Sequence, residues 1–182
     1  MKLETYDNQS LDRGRLLRVE VIWVLIQGLL FSTWVPGSGW RCFLLRAFGA
    51  KIGKKVVIKP GVRVKFPWRL EIGDCSWIGE RVWIDNLASV NIGSHACISQ
   101  GAYLCTGSHN WSLTSFDLIT KPIRIGNHAW IGAQTCIAPG VTMGEGAVLC
   151  MGSIAAKDLE PWTIYQENPA VPVRERKKTS EG

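Results

Sequence analysis

Aliphatic residues recur at every sixth position through the middle of the chain. Ile52, Ile58 and Val64 are followed by Ile72, Ile78 and Ile84, by Ile92, Ile98 and Leu104, by Ile125, Ile131 and Ile137, and by Met143 and Leu149. A second series lies four positions after each of these, running from Val56 to Ser153. Thirteen of its fourteen members are small or β-branched, and Trp68 alone is large. A two-site period of six fits neither a 3.6-residue helix nor a half-buried strand of period two. It predicts a triangular coil of short flat strands meeting at tight corners. The aliphatic residue fills the interior and the small residue fits beside it. Such coils stack so that each touches only its neighbours, with backbone hydrogen bonds between rungs about 4.8 Å apart.

A longer period lies over the hexads. IGKK at 52, IGDC at 72, IGSH at 92 and IGNH at 125 open successive coils, and MGEG at 143 opens a fifth. Three hexads make 18 residues, so the spacings of 20 carry two extra residues and the spacing of 33 carries fifteen. All three insertions fall between the third hexad of one coil and the first of the next, which places them along one edge of the prism. The glycine that follows the aliphatic residue, as at Gly73 and Gly79, suits a corner needing unusual backbone angles or a close approach. The position five after each aliphatic faces outward. It reads Trp77, Cys97, Trp130 on one face and Trp83, Tyr103, Cys136 on the next, and aromatic stacks of this kind predict a subunit interface. A three-sided prism suggests a closed ring of three.

The ends differ from this body. The predicted division is residues 1–50 as a polar start plus an apolar helical cap, 51–158 as the all-β solenoid with an inserted loop at 110–122, and 159–182 as an extension with a basic, solvated tail that contains Arg176, Lys177 and Lys178. Residues 155–165 are expected to leave the repeat. The apolar stretch from Val21 to Val35 is broken by few polar residues and stops at Pro36. Three readings stand for it: a helix covering the open strand edges of the first coil, an interfacial helix giving residues 19–41 a peripheral membrane contact through Trp23, Trp34 and Trp40 with nearby Arg and Lys, or a span, for which fifteen residues are short.

With 182 residues, 46% apolar and 20% charged, the chain has a globular composition. Its six cysteines form no C-x-x-C pair, which argues against a zinc finger or thioredoxin-type site. The polar start lacks a small-residue cleavage site, so the expectation is a cytoplasmic protein with free thiols. The net charge of +6 permits an anionic partner, such as nucleic acid, a membrane surface or a phosphorylated cofactor, but it is modest and accompanies no nucleic-acid-binding motif, which argues against nucleic acid.

Of the three histidines, His95 and His128 share one phase at a corner and read as solvated turns. His109 differs, because it follows the inward Ser108 at the root of the insertion, where a rigid scaffold presents a loop. It is either an exposed loop residue or a general base. Stacking places Asp85 under Cys105 and Asn86 under Thr106, near His109, with Lys65, Phe66 and Trp68 below. The result is a groove suited to a sugar, although Asp85–Asn86 also reads as an ordinary turn.

Three segments, FLLRAFGAKIGKKVVIKPGV, YLCTGSHNWS and IGNHAWIGAQTCIAPGVTMGEGAV with NPAVPVRER, resemble the colanic acid biosynthesis acetyltransferase family over nearly the whole chain. More distantly, the chain is similar to galactoside, maltose and nodulation O-acetyltransferases. The resemblance implies a left-handed parallel β-helix, a homotrimer with sites between subunits, and acetyl transfer from acetyl-CoA to a sugar hydroxyl of a lipid- or nucleotide-linked precursor, with no metal. It matches the catalytic histidine to His109, the site tryptophan to Trp130, and the CoA contacts to Ala133, Met151, Ala156, Lys157 and Arg174. The galactoside enzymes have serine and threonine at Ala133 and Ala156, so contacts there run through the backbone. Their acceptor-orienting asparagine corresponds to Gly79, which leaves Asp85 and Asn86 as candidates for that role. Unperturbed histidine titrates near ~6.5, so neutral imidazole is available as a base. A covalent route through Cys105, a metal site of three converging histidines, and a non-catalytic or membrane-attached scaffold are the competing readings.

Overall fold

The structure is a computed structural model that describes residues 3–7 and 11–177. Three parallel sheets form the walls of a prism. The first wall stacks Lys51–Ile52, Leu70–Ile72, Val90–Ile92, Ile123–Ile125 and Thr142–Met143. The second runs from Val57–Ile58 through Trp77–Ile78, Cys97–Ile98, Trp130–Ile131 and Val148–Leu149 to Thr163–Gln166, with Val171–Glu175 antiparallel at its end. The third holds Arg63–Val64, Trp83–Asp85, Tyr103–Cys105, Cys136–Ile137 and Ile154–Ala155. The hexad aliphatics pair in register up the column, as Ile58 with Ile78 and Ile84 with Leu104. All of them are buried except Ile52, which the first rung leaves partly exposed. Backbone N–H groups donate to the next coil at about 2.9 Å, as from Trp77 to Ala96 and Trp83 to Ala102.

The corner rule separates into two parts. None of the glycines that follow an aliphatic residue has a left-handed φ. They permit close approach instead: a Cβ on Gly73 would lie 2.5 Å from the Ser94 nitrogen, and one on Gly79 would lie 2.6 Å from the Gln100 nitrogen. The left-handed residue stands two positions later, at Lys55, Cys75, His95 and His128 along one edge and at Arg81 and Gln134 along the next. His95 and His128 are exposed there and stack with ring centroids 5.1 Å apart, as turn residues.

The second, small-residue series holds at two corners, while at the third it holds at Val141 and fails in the three coils that carry insertions. Trp68, Ala88 and Ser108 are only half-buried, and Phe66, Asn86 and Thr106, two positions after the aliphatic residue, take the interior. The insertions emerge on this edge as expected, but the long one is not a plain loop. Gly107–His109 and Leu118–Thr120 close it as an antiparallel hairpin.

The solenoid also extends further than five coils. Ala155, six after Leu149, is fully buried, Leu159 bridges Met143 on the first wall, and Tyr165, six after Leu159, is buried on the second. The small side chain of Ala155 and a short spacing to Leu159 hide this partial sixth coil from an aliphatic pattern. At the C-terminus, Arg176 is docked rather than solvated: its guanidinium donates to the carbonyls of His128 at 2.8 Å and Gly146 at 3.0 Å. Lys177 is exposed, and Lys178 lies outside the described residues.

The helical segment caps the first coil. Helix α1 (Leu17–Ile26) continues as a π turn (Gln27–Phe31), and α2 is Gly39–Ala47. Buried Trp23 donates Nε1–H to the Val64 carbonyl at 2.8 Å, and Gln27 accepts the Val64 N–H at 2.6 Å. Ser32, Ser38 and Arg46 satisfy the carbonyls of Val62, Ile58 and Ile52. An open strand edge is thus paired by side chains instead of by another rung. Among the described residues, no helix is long and apolar enough to cross a membrane.

Candidate functional site

The sequence candidates distribute over two edges of the prism, at the two ends of the third wall. His109 stands on the edge joining the third wall to the first, at the end of the hairpin and paired with Leu118. Its Nδ1 lies 2.8 Å from the Phe116 carbonyl oxygen. A carbonyl only accepts, so Nδ1 carries a proton, and in the neutral ring the lone pair is on Nε2. The imidazole also stacks on the Phe116 ring with centroids 4.2 Å apart and planes 2° from parallel, and Tyr6 meets it edge-on at 5.5 Å. Fixing one nitrogen and one ring face in this way presets the tautomer that general-base catalysis requires.

The expected groove beneath His109 is only partly there. Asp85 is half-buried in register with Cys105, as stacking predicts. It accepts the Tyr103 hydroxyl at 3.0 Å. Burial, with the Cys105 hydrogen bond and the Asp85 charge, pushes the Tyr103 phenol up, so it stays a donor. Asn86 is a correction. It is fully buried, its Oδ1 accepts the Phe66 N–H at 2.9 Å and its Nδ2 donates to the Phe66 carbonyl at 2.7 Å. Its amide replaces a missing rung and is not free for an acceptor. Phe66 is likewise core, stacked on Trp68, whose indole donates to the Arg13 carbonyl at 2.7 Å.

Sequence reasoning missed the cleft beside the hairpin, of about 310 Å³, lined by Leu11, Asp12, Arg69, Leu118 and Thr120. Arg69 crosses this edge, donating to the Leu87 carbonyl and to both the carbonyl and the carboxylate of Asp12. Asp12 and Arg13 therefore lie on the insertion edge, and Tyr6 lies against His109. The mixed polar sequence of these residues carried no sign of this.

The other edge joins the second wall to the third. Trp130, half exposed, donates Nε1–H to the Ser99 hydroxyl at 3.0 Å. It lines a cleft of about 370 Å³ with Gln100, Ala133, Cys150 and Met151. Ser99 and Gln100 also line a second cleft of about 330 Å³ with Lys59, Trp77 and Gly79, so the two form one groove along the edge. Trp130, Ala133 and Met151 are thus brought together. Ala156 and Lys157 are exposed on the His109 edge beyond the last complete coil, and Arg174 is exposed on the antiparallel strand beside Ile164. A single chain does not join its own His109 to the Trp130 cleft.

Comparison with known proteins agrees with the solenoid fold. A sequence profile described as "Hexapeptide repeat of succinyl-transferase" matches residues 122–154. The chain is 43% identical over 168 residues to WcaF of Escherichia coli K12, provisionally named a colanic acid biosynthesis acetyltransferase, covering 91% of each chain. The chain belongs to the hexapeptide-repeat acetyltransferases. A further member, the galactoside O-acetyltransferase of Escherichia coli K12, is 30% identical over 72% of this chain and 66% of its own. A hexapeptide-repeat acetyltransferase of Vibrio cholerae solved with acetyl coenzyme A superposes with a TM-score of 0.82 at 26% identity, covering 89% of each chain. This acetyltransferase is therefore an acyl-transfer enzyme, and the parallel solenoid is the fold it shares with these relatives.

Proposed function

We propose that this acetyltransferase moves an acetyl group from acetyl-CoA to a hydroxyl of a sugar precursor of an exopolysaccharide, with His109 as general base in a direct transfer. The observation that carries this reading is the His109 Nδ1–Phe116 carbonyl bond at 2.8 Å. It leaves Nε2 able to take the hydroxyl proton as the sugar oxygen attacks the thioester carbonyl. The carbon–sulfur bond then breaks, and the proton passes to the departing thiolate. One positioned imidazole supplies about 10²–10⁴-fold, and holding donor and acceptor together supplies much of the remainder. The Cys105 thiol is tied to the Gly107 carbonyl at 3.1 Å, while the His109 ring is held by Phe116. That separation favours direct transfer over an acyl-cysteine.

The groove of Trp130, Ala133 and Met151 suits the pantetheine arm, because it is apolar, elongated and open to backbone contacts. Exposed Lys157 and Arg174 supply cations for its phosphates. The WcaF relationship supports a colanic-acid-like acceptor, and Asp85 with the Arg69–Thr120 cleft provides hydrogen-bonding groups for a sugar.

A homotrimer unites the two edges. The third wall lies between them and carries the half-buried Trp83–Tyr103 stack, with centroids 4.6 Å apart and the Arg63 guanidinium 4.2 Å from the Trp83 ring. Three prisms turning this wall toward a common axis set the His109 edge of each against the Trp130 edge of the next. Thiol release from acetyl-CoA, screened with lipid- and nucleotide-linked sugars for wild type and His109→Ala, tests the function. The proposal expects acceptor-dependent release that falls at least about a hundredfold in the variant. Release that is independent of acceptor, or of His109, would overturn it.

A further inference from the structure

The outer side of the N-terminal cap is apolar. Trp23 and Phe31 are buried against the first coil, but Leu17, Val21, Leu25, Leu29, Leu30 and Trp34 are each about half or more exposed, up to 73% at Leu29. A contiguous apolar surface of this kind on a folded chain marks a contact with something else. Charge indicates the partner. Between Glu20 and Glu71 the chain holds nine Lys and Arg and no acidic residue. The whole chain is only +6, so everything outside this stretch is net −3. The same end of the column therefore presents both the apolar helix and a rim of exposed cations, including Lys54 and Lys55 at the first corner and Lys65. The Arg81 guanidinium lies 5.2 Å from the exposed Trp34 ring.

We infer that this end of the prism docks on an anionic lipid bilayer. The helix and π turn would lie in the headgroup plane with their outer side chains in the acyl boundary, and the cations would meet lipid phosphates. Two copies meeting through this face would bring two like-charged rims together, which disfavours self-association. Fifteen residues of helix reach about 22 Å, short of the ~30 Å hydrocarbon core, so the segment lies on the membrane and does not cross it. Docking of this kind holds the enzyme where lipid-linked sugars are displayed, but the inference rests on the cap alone and is independent of the acyl-transfer chemistry.

The test is co-sedimentation of the full-length protein with vesicles of phosphatidylethanolamine and phosphatidylglycerol and with vesicles of phosphatidylcholine alone. Binding to the anionic vesicles is expected to exceed binding to the zwitterionic ones by at least about thirtyfold at low salt and to weaken in high salt. Lys54→Glu with Lys55→Glu should lower it about thirtyfold. Leu25→Glu with Leu29→Glu should lower it more than about a hundredfold, and because both leucines are exposed the thermal midpoint should hold. Equal binding to both vesicle types, no binding to either, or leucine variants that bind like wild type would overturn the inference. So would leucine variants whose subunits dissociate in sedimentation equilibrium, which would make the face a contact between copies.

Discussion

The two ends of the third wall are built by different rules. At the edge it shares with the second wall, every coil turns in the same way: an aliphatic residue, a residue pressed against the next coil, a left-handed residue such as Arg81 or Gln134, and a small buried residue such as Ala102 or Thr135. Backbone bonds join rung to rung there without interruption. At the edge shared with the first wall, insertions break that ladder. Buried polar side chains then substitute for it: Asn86 bridges Phe66, while Thr106 donates to the Asp85 carbonyl at 2.9 Å and accepts the Ala88 N–H at 3.0 Å. Among the described residues, no buried side-chain polar atom lacks a partner. Regularity supplies stiffness on one side. Irregularity on the other supplies the room in which a hairpin can hold an imidazole.

Substitutions separate the two edges. The largest expected effect is at the irregular one, where His109→Ala should lower turnover at least about a hundredfold while the circular dichroism spectrum and urea midpoint stay as in wild type. Asn86→Ala should act the opposite way on the same edge. It leaves the Phe66 N–H and carbonyl without partners in the interior, so urea denaturation should show a loss of about 2–3 kcal/mol. Gly73→Ala probes a regular corner. Its new methyl would lie 2.5 Å from the Ser94 nitrogen and 2.7 Å from the Gly93 carbonyl carbon, both backbone atoms. A loss of about 1–3 kcal/mol is expected from the strain. Cys105→Ala should be smallest, with turnover within about twofold of wild type if no acyl-cysteine forms. A hundredfold fall there would move the nucleophile from the sugar to the thiol.

The regular part of the fold was legible because its signal repeats. A period of six with a small residue four positions on reports a steric rule that each coil obeys, and the outward columns of Trp77, Cys97 and Trp130 follow from the same register. The location of the insertions on one edge was also readable by counting. What those insertions do was not, because each occurs once. Asn86 reads as a turn residue in sequence, and only in the stacked coils does its amide act as a peptide group between rungs. Phe66 looked like a groove aromatic for the same reason. Tyr6 and Arg69 reach the His109 edge through contacts across many residues, which no local pattern encodes. The helical cap was legible as an apolar run, but its division into a buried side and an exposed side was not. The run is apolar all round, so no periodic stripe distinguishes them.

The central claim is that His109 of one protomer serves the Trp130 groove of another. Mixed trimers test it most directly. His109→Ala lacks the base, and Ala133→Trp fills the groove, so each should be inactive alone. Unfolded together and refolded at equal ratio, they should recover about a quarter of wild-type thiol release, because a quarter of the interfaces then combine an intact histidine with an intact groove. Mixed trimers that form, as native mass spectrometry would show, yet stay as inactive as either variant alone would place base and groove in the same subunit and contradict the claim.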